Sequence, residues 1–172
     1  DLPGAALVSG VLQGLLSGVL SREVNLVNAV SAAEDYGLKL AEVRGPDPEG
    51  YLGLLKVRVG GDGGERLISG TVYADRYPKV VQVDEFFIET PLKENMLFYK
   101  NDDTPGRLAA ITASIADHEV NIADLALGRD KASNMAFGAL HLDAPLPDDA
   151  LESLRAVEGV TWAQPASFPS GS

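Results

Sequence analysis

The sequence predicts an α+β protein made of two consecutive parts. Three observations support this: an apolar helical stripe near the N-terminus, a run of period-two patterns separated by glycine-rich turns, and a final stretch ordered strand, helix, strand, strand, helix, strand. The 172 residues suffice for one large domain or two small ones. We expect a mixed α/β domain at residues 1–93, a second domain at 94–166 and a disordered tail at 167–172.

Residues 4–20 carry apolar side chains at helical spacing, which predicts a buried helix. Gly10, Gly14 and Gly18 recur every fourth residue and form a smooth face for close packing. A membrane span is the competing interpretation, but the apolar run is near the lower limit of about 17 residues and contains two serines and a glutamine. The N-terminal Asp-Leu-Pro-Gly lacks the basic start of a signal peptide and looks cut from a longer protein.

The next segments predict short elements. Residues 24–27 are interpreted as a strand, and Asn28 as the cap of a short helix at residues 29–36. Gly37 is expected to stop that helix, after which residues 38–44 resume an extended pattern.

A strand-rich region follows the turn cluster at residues 45–50. Gly60–Gly64 could be a phosphate-binding glycine loop, but such a loop leads into a helix, whereas residues 66–73 alternate at period two. A hairpin is therefore favoured, and a second hairpin is predicted about Asp84-Glu85. The predicted strands of this region are residues 55–59, 66–73, 79–83 and 86–90.

The order of elements changes after residue 95. A charged loop of hairpin length at residues 129–133 joins two of the strands, and Pro147 opens a helix that Gly159 stops. This order predicts the split βαβ, ferredoxin-like arrangement, in which two helices cover one face of a four-stranded antiparallel sheet. The predicted strands are residues 96–100, 122–128, 134–142 and 160–163, and the first helix ends near His118.

The turn at residues 101–106 has the features of a small-molecule site. Thr104 can cap the following helix with its hydroxyl, and Pro105 suits the first helical position. Gly106 allows close approach to the free N–H groups behind it, which attract a carboxylate. Asp103 could hold a cation, so the turn fits a free amino acid better than a phosphate or a sugar. The alternative is that it is only a helix cap.

Composition excludes several classes of function. The chain has 14 Lys+Arg against 25 Asp+Glu, a net charge of −11 that would repel nucleic acid and anionic membranes. The absence of cysteine excludes disulfides and thiolate catalysis and is compatible with a reducing cytoplasm. His118 and His141 are too few for a metal cluster and lack motifs for proton transfer. We expect no catalytic residue and no metal, with both histidines packed or exposed to solvent.

Two sets of motifs resemble known regulatory modules. The turn at residues 103–106 between strand and helix, followed by Val-Asn-Ile-Ala at 120–123 and a paired strand, resembles an ACT domain, which binds amino acids between two copies. Four upstream motifs are similar to the intervening domain of long-form D-3-phosphoglycerate dehydrogenase. They are residues 14–20, 24–29, 69–72 and 79–83. The two modules occur in this order in that family, and the resemblance covers nearly the whole chain.

The resemblance implies the C-terminal regulatory part of an NAD-dependent enzyme that oxidises 3-phosphoglycerate in serine synthesis. The catalytic and NAD-binding domains would lie outside this chain, which itself would need no cofactor. L-serine would bridge paired ACT domains of a homo-oligomer in the cytoplasm and cause feedback inhibition. The implied serine-binding residues are the turn positions Asn101 and Asp103, with Thr104, Pro105 and Gly106 beside them, and Asn121 after the helix.

Departures from the family pattern keep two alternatives open. Other members carry His or Tyr where this chain has Asn101, and glycine where it has Glu119, so the module could serve oligomerisation without a ligand. The domain pair could also belong to an L-serine dehydratase. Lys79 is the basic residue that matches a possible anion site in the upstream domain, and its alternative role is that of a solvated strand lysine.

Overall fold

The helical and alternating patterns form four helices and eight strands within the part of the chain that the structure describes. The structure is a computed structural model, and it describes residues 4–43, 45, 50–51, 53–74 and 77–168. It divides into two compact units, residues 1–46 and residues 47–172. None of the helices within these described ranges is long and apolar enough to cross a membrane. The predicted division at residues 93 and 94 stays a prediction.

The first unit contains two helices, α1 (Gly4–Ser17) and α2 (Ala29–Asp35). Helix α1 ends at Ser17, whereas the sequence pattern predicts that it continues to residue 20. Gly10 lies near the Leu26 side chain, whereas Gly14 and Gly18 have no such neighbour among the described residues. The core of this unit therefore forms from leucine and alanine side chains rather than on the glycine face. Its buried residues are Leu12, Leu16, Val24, Ala29, Ala32 and Ala33.

The predicted strand at residues 24–27 is wrong, because two asparagine side chains fold this segment into a turn. Asn25 Oδ1 accepts hydrogen bonds from the backbone N–H groups of Val27 (3.0 Å) and Asn28 (3.1 Å). Asn28 Oδ1 accepts one from Asn25 N at 2.8 Å. Such local bonds compete with strand pairing for the same backbone groups. Asn28 does precede α2, but its side chain makes no capping bond to the helix.

The end of α2 agrees with the sequence. Gly37 has φ +86° and Leu38 N donates to Ala33 O at 2.9 Å, which closes the helix as a glycine C-cap does. No strand follows in residues 38–43. Residues 44 and 46–49, which belong to the predicted extended segment and turn cluster, lie outside the described residues.

Four antiparallel strands form the first sheet in chain order: β1 (Leu55–Gly61), β2 (Gly64–Tyr73), β3 (Tyr77–Val83) and β4 (Phe86–Pro91). Gly61 pairs with Gly64, and Val83 with Phe86, so both predicted hairpins have two-residue loops. Asp84 adopts φ +49°, and its carboxylate accepts a bond from Leu67 N at 2.9 Å. This bond explains how a turn without glycine is tolerated there.

The second sheet confirms the predicted ferredoxin-like arrangement. Its elements are β5 (Asn95–Asp102), α3 (Arg107–Ala116), β6 (Ile122–Asp130), β7 (Met135–Leu142), α4 (Asp148–Arg155) and β8 (Val160–Ser167). The strands are antiparallel in the order β6-β7-β5-β8. Both helices pack on one face over a core that includes Leu97, Tyr99, Ile111, Ile115, Leu140 and Leu154.

Strand β8 is longer than the sequence pattern indicated. Ser167 pairs with Asn95, and Phe168 N donates to Glu94 O at 3.2 Å. Phe168 also packs against the apolar cluster between the sheets. The first two residues of the predicted disordered tail therefore belong to the fold, while residues 169–172 lie outside the described part.

The two sheets of the second unit pack against each other through aromatic side chains. Phe86 of β4 stacks on Phe137 of β7 with ring centroids 5.8 Å apart, and Ile88 lies in the same cluster. At Gly128 of β6 an added Cβ would lie 2.6 Å from the backbone oxygen of Phe87. Glycine is therefore required at this position, because a side chain would push the two backbones apart.

We expect Gly128→Ala to destabilise the second unit by about 1–3 kcal/mol, the usual cost of an overpacked core. Urea denaturation followed by tryptophan fluorescence measures it, since Trp162 stacks on Phe137 beside the same interface. Gly60→Ala in β1 is the matched control, because its Cβ would enter open space. Equal midpoints for both variants would contradict the proposed close approach.

Candidate functional site

The predicted turn lies on an open cavity of about 240 Å³ between the start of α3 and the helix-covered face of the sheet. The sequence-predicted residues Asn101 and Asp103 line this cavity, together with the run from Thr104 to Gly106. Leu127 and Arg129 of β6 form the opposite wall. The structure therefore brings five of the six predicted serine-binding residues to one place.

The turn itself differs from the predicted helix cap. Arg107 N donates to Thr104 O at 3.2 Å, and Gly106 has φ +89° and ψ −14°. Proline followed by glycine at the two central positions with these angles is a type II β-turn. Helix α3 consequently begins at Arg107 with Gly106 as N-cap, so the predicted Thr104 hydroxyl cap and the first helical position of Pro105 are wrong.

Asn101 lines the cavity and carries an unused acceptor. Its side chain is buried, with 4% of the residue exposed, and its Nδ2 donates to Asp102 O at 2.5 Å. That bond fixes the orientation of the amide, and Oδ1 has no donor among the described residues. A buried polar atom without a partner is uncommon and costly in folded proteins. The structure thus leaves an unsatisfied acceptor in a residue that lines the cavity.

Tyr99 also lines the cavity and carries a second unpaired polar atom. Its hydroxyl is buried without a hydrogen-bond partner in the described part of the chain, and burial raises the pKa of Tyr99 to about 12. Tyr99 and Asn101 point to the same face of β5 because they are two residues apart. The sequence motifs do not single out Tyr99, and its period-two spacing from Asn101 is the signal that places both residues on one face.

Asp103 is held by Arg129, which the sequence predicts to begin the charged loop at residues 129–133. Arg129 Nε donates to Asp103 Oδ2 at 2.7 Å, and Arg129 Nη2 lies 2.7 Å from the same oxygen. Arg129 belongs to β6, on the face that also carries Leu125 and Leu127. The period-two spacing of these three residues was the available signal that Arg129 faces the cavity.

Asn121 lies at the other end of α3 from the turn. The helix has ten residues, which corresponds to about 15 Å, so one chain does not bring Asn121 to the cavity. Its Nδ2 donates to Asp143 Oδ2 at 2.6 Å. Its role as a ligand contact from a second copy stays a prediction. Glu119 nearby has φ +59°, which explains why glycine suits that position in the resembled family.

An ion pair supports the turn by linking the start of α3 to the end of β5. Arg107 donates to Asp102 through Nε (2.6 Å) and Nη2 (3.0 Å), and also to Glu158 at 3.3 Å. The hydrogen bond from Arg107 is the main reason why the pKa of Asp102 is lowered. Gly159 has φ +83°, and a Cβ there would overlap Asp102 Oδ1, so this ion pair also depends on a glycine.

The remaining candidate residues lie away from this cavity. Lys79 lies on β3 with its Nζ 5.1 Å from the centre of the Tyr73 ring, and its anion-binding role stays a prediction. His118 Nε2 lies 3.1 Å from Ser153 Oγ, which links the end of α3 to α4. His141 pairs with Met96 within the sheet.

Comparisons with known proteins agree with this architecture. Residues 1–84 match the model of the D-3-phosphoglycerate dehydrogenase intervening domain, and residues 95–159 match that of the ACT domain. D-3-phosphoglycerate dehydrogenase from Synechocystis sp. is 34% identical over 154 residues, 90% of this chain and 28% of the relative. Those from Archaeoglobus fulgidus and Bacillus subtilis are 28% and 23% identical, over 87% and 95% of the chain and 29% and 31% of the relatives.

The βαββαβ fold and the matched model define the second module as an ACT domain. Both modules occur in the order that the sequence motifs indicated. The chain belongs to the D-3-phosphoglycerate dehydrogenase family and corresponds to its C-terminal regulatory region. It spans less than a third of the length of these relatives.

The lowered pKa of Asp102 predicts how the stability of the fold changes at acid pH. The Asp102 carboxylate stabilises the fold above its unfolded-state pKa of about 3.9, and this contribution is lost as pH falls through the lower folded-state pKa. The melting temperature of wild type should therefore exceed that of Asp102→Asn at pH 6, and this difference should shrink as the pH falls from 5 to 2. Thermal melts followed by circular dichroism measure it. Glu152→Gln on the exposed face of α4 is the control, and a difference independent of pH would contradict the assignment.

Proposed function

We propose that this chain is a serine-sensing module that binds L-serine at an interface between two ACT domains and transmits feedback inhibition to a D-3-phosphoglycerate dehydrogenase. The observation that carries the proposal is the cavity at the turn, where the buried acceptor Asn101 Oδ1 lies beside the carboxylate of Asp103. Asp103 suits the ligand ammonium, and Asn101 suits a hydrogen-bond donor of the ligand.

The surface beside the cavity supports pairing of two copies. Leu108 of α3 and Leu125 and Leu127 of β6 are 37%, 37% and 39% exposed. Strand β6 is an edge of its sheet, so its outer backbone groups are free of strand partners within the described chain. An apolar row along an open edge is typical of an interface. The proposal requires that a second copy placed there brings its own Asn121 to the cavity.

Regulation requires that serine prefers one arrangement of the paired domains. A preference of about 1–3 kcal/mol suffices to slow a distant active site. In the whole protein, that site would oxidise 3-phosphoglycerate with NAD during serine synthesis in the cytoplasm. This chain covers 28% of the Synechocystis relative, and the NAD-binding part of such a protein would lie in the remainder.

A second candidate function is oligomerisation without a ligand. The ion pair between Arg129 and Asp103 favours it, because Asp103 already has a charged partner in the structure. A dimer whose stability no amino acid changes would support this alternative. The dehydratase alternative has no support from the relatives, since those reported above are named as D-3-phosphoglycerate dehydrogenases.

We expect L-serine to bind the chain, and Asp103→Ala to weaken binding about 10- to 100-fold, because a charge-assisted hydrogen bond to the ammonium is lost. Isothermal titration calorimetry up to millimolar serine measures both. Asp62→Ala in the β1–β2 loop is the matched control and should bind as wild type does. The proposal fails if wild type shows no heat of binding, or if Asp103→Ala binds serine unchanged.

We also expect Leu127→Gln to weaken self-association about tenfold or more, since a leucine buried at an interface contributes about 1.5–3 kcal/mol. Sedimentation equilibrium measures the dissociation constant. Val27→Gln serves as control because Val27 is 95% exposed in the turn before α2. If Leu127→Gln associates as tightly as the control, the interface lies elsewhere.

A further inference from the structure

We propose that Arg129 binds the carboxylate of the amino-acid ligand and that Arg129 and Asp103 together form a two-charge clamp for a zwitterion. The inference rests on the proposed function, because it assumes that the cavity takes an amino acid. It adds a ligand-binding residue that neither the turn motif nor the family resemblance indicated, and it places the ligand carboxylate on Arg129 rather than on the N–H groups after Gly106.

The geometry of the ion pair leaves both partners able to bind more. Arg129 Nε and Nη2 both lie against Asp103 Oδ2, and neither contact uses Oδ1. A guanidinium carries five N–H donors, so Arg129 retains donors for a second carboxylate. Asp103 Oδ1 can accept from an ammonium while the pair stays formed. Asp103 can then bind the ammonium of a ligand while Arg129 binds the carboxylate of the same ligand.

The exposure of the two side chains indicates which end of the ligand lies deeper in the cavity. Only 18% of the Asp103 side chain is exposed, whereas 58% of the Arg129 side chain is exposed. The ammonium therefore reaches the inner carboxylate, and the ligand carboxylate stays near the rim, where Arg129 can follow it. The ligand side chain is left facing the inner wall, where Asn101 Oδ1 and the Tyr99 hydroxyl have no partners within the described residues.

The other arginine on the cavity wall cannot take this role. Arg107 is committed to Asp102 and Glu158, and only 16% of its side chain is exposed. If Arg107 bound a ligand instead, the ion pair with Asp102 that supports the turn would be lost. Arg129 has no such structural duty in the core, so it is the cationic group of the cavity that can serve a carboxylate.

A paired positive and negative charge selects ligands that carry both charges. A zwitterion meets an opposite charge at each end, whereas a ligand lacking the carboxylate charge meets Arg129 without compensation. The clamp therefore predicts a preference for L-serine over L-serinamide, which differs only in having a neutral amide in place of the carboxylate.

The test compares L-serine and L-serinamide by calorimetry on the whole chain. Arg129→Gln should weaken serine binding about 10- to 100-fold without weakening serinamide binding, so that the preference disappears. Arg129→Lys should restore part of it. Arg58→Gln, which removes an exposed ion pair with Glu65 on the other sheet, is the matched control. Urea denaturation of Arg129→Gln checks that the fold is retained.

Serine binding by Arg129→Gln equal to or tighter than that of wild type would overturn the clamp, as would an equal loss of both ligands. Those results leave the proposed function intact. If wild type binds another neutral amino acid but not serine, the serine assignment fails, and that amino acid and its amide test the clamp with the same variants. If wild type binds no amino acid, the clamp and the proposed function both fail.

Discussion

Arg107 joins the end of β5 to the start of α3 by two charge-assisted hydrogen bonds to Asp102. This pair and Gly159 next to it support the type II turn, whereas strand pairing holds Asn101 and the contacts of Asp103 with Arg129 and Asn134 O hold Asp103. The cavity thus lies next to an ion pair that joins the first residue of helix α3 to the last residue of strand β5. Because this ion pair supports the turn from its inner side, the outer surface of the turn stays available to a ligand.

The cavity joins two different kinds of polar group. Asn101 and Tyr99 are buried and unpaired in the described chain, which favours a ligand that supplies hydrogen bonds. Asp103 and Arg129 are paired with each other and partly exposed, which keeps the free site neutral overall. An acidic chain with net charge −11 would otherwise disfavour a ligand carboxylate, and a local arginine offsets this repulsion.

The sequence predicted the elements that depend on local pattern. Both hairpins, the βαββαβ order and the glycine stop at Gly37 follow from alternation, helical spacing and backbone freedom, and the structure confirms them. The strand at residues 24–27 failed because the Asn25 and Asn28 side chains outcompete strand pairing. The cap at Thr104 failed because Pro105 and Gly106 together favour a type II turn over a first helical turn.

By itself, the sequence determined the fold class, the domain family and the segment at residues 101–106 that carries Asn101 and Asp103, because each rests on residues close together in the chain. Only the tertiary structure decided that Arg129 of β6 meets Asp103 and that Asn121 does not reach the cavity within one chain. It also decided that Gly128 lets the two sheets touch. These outcomes depend on strand register and helix length, which bring together residues that no local pattern relates.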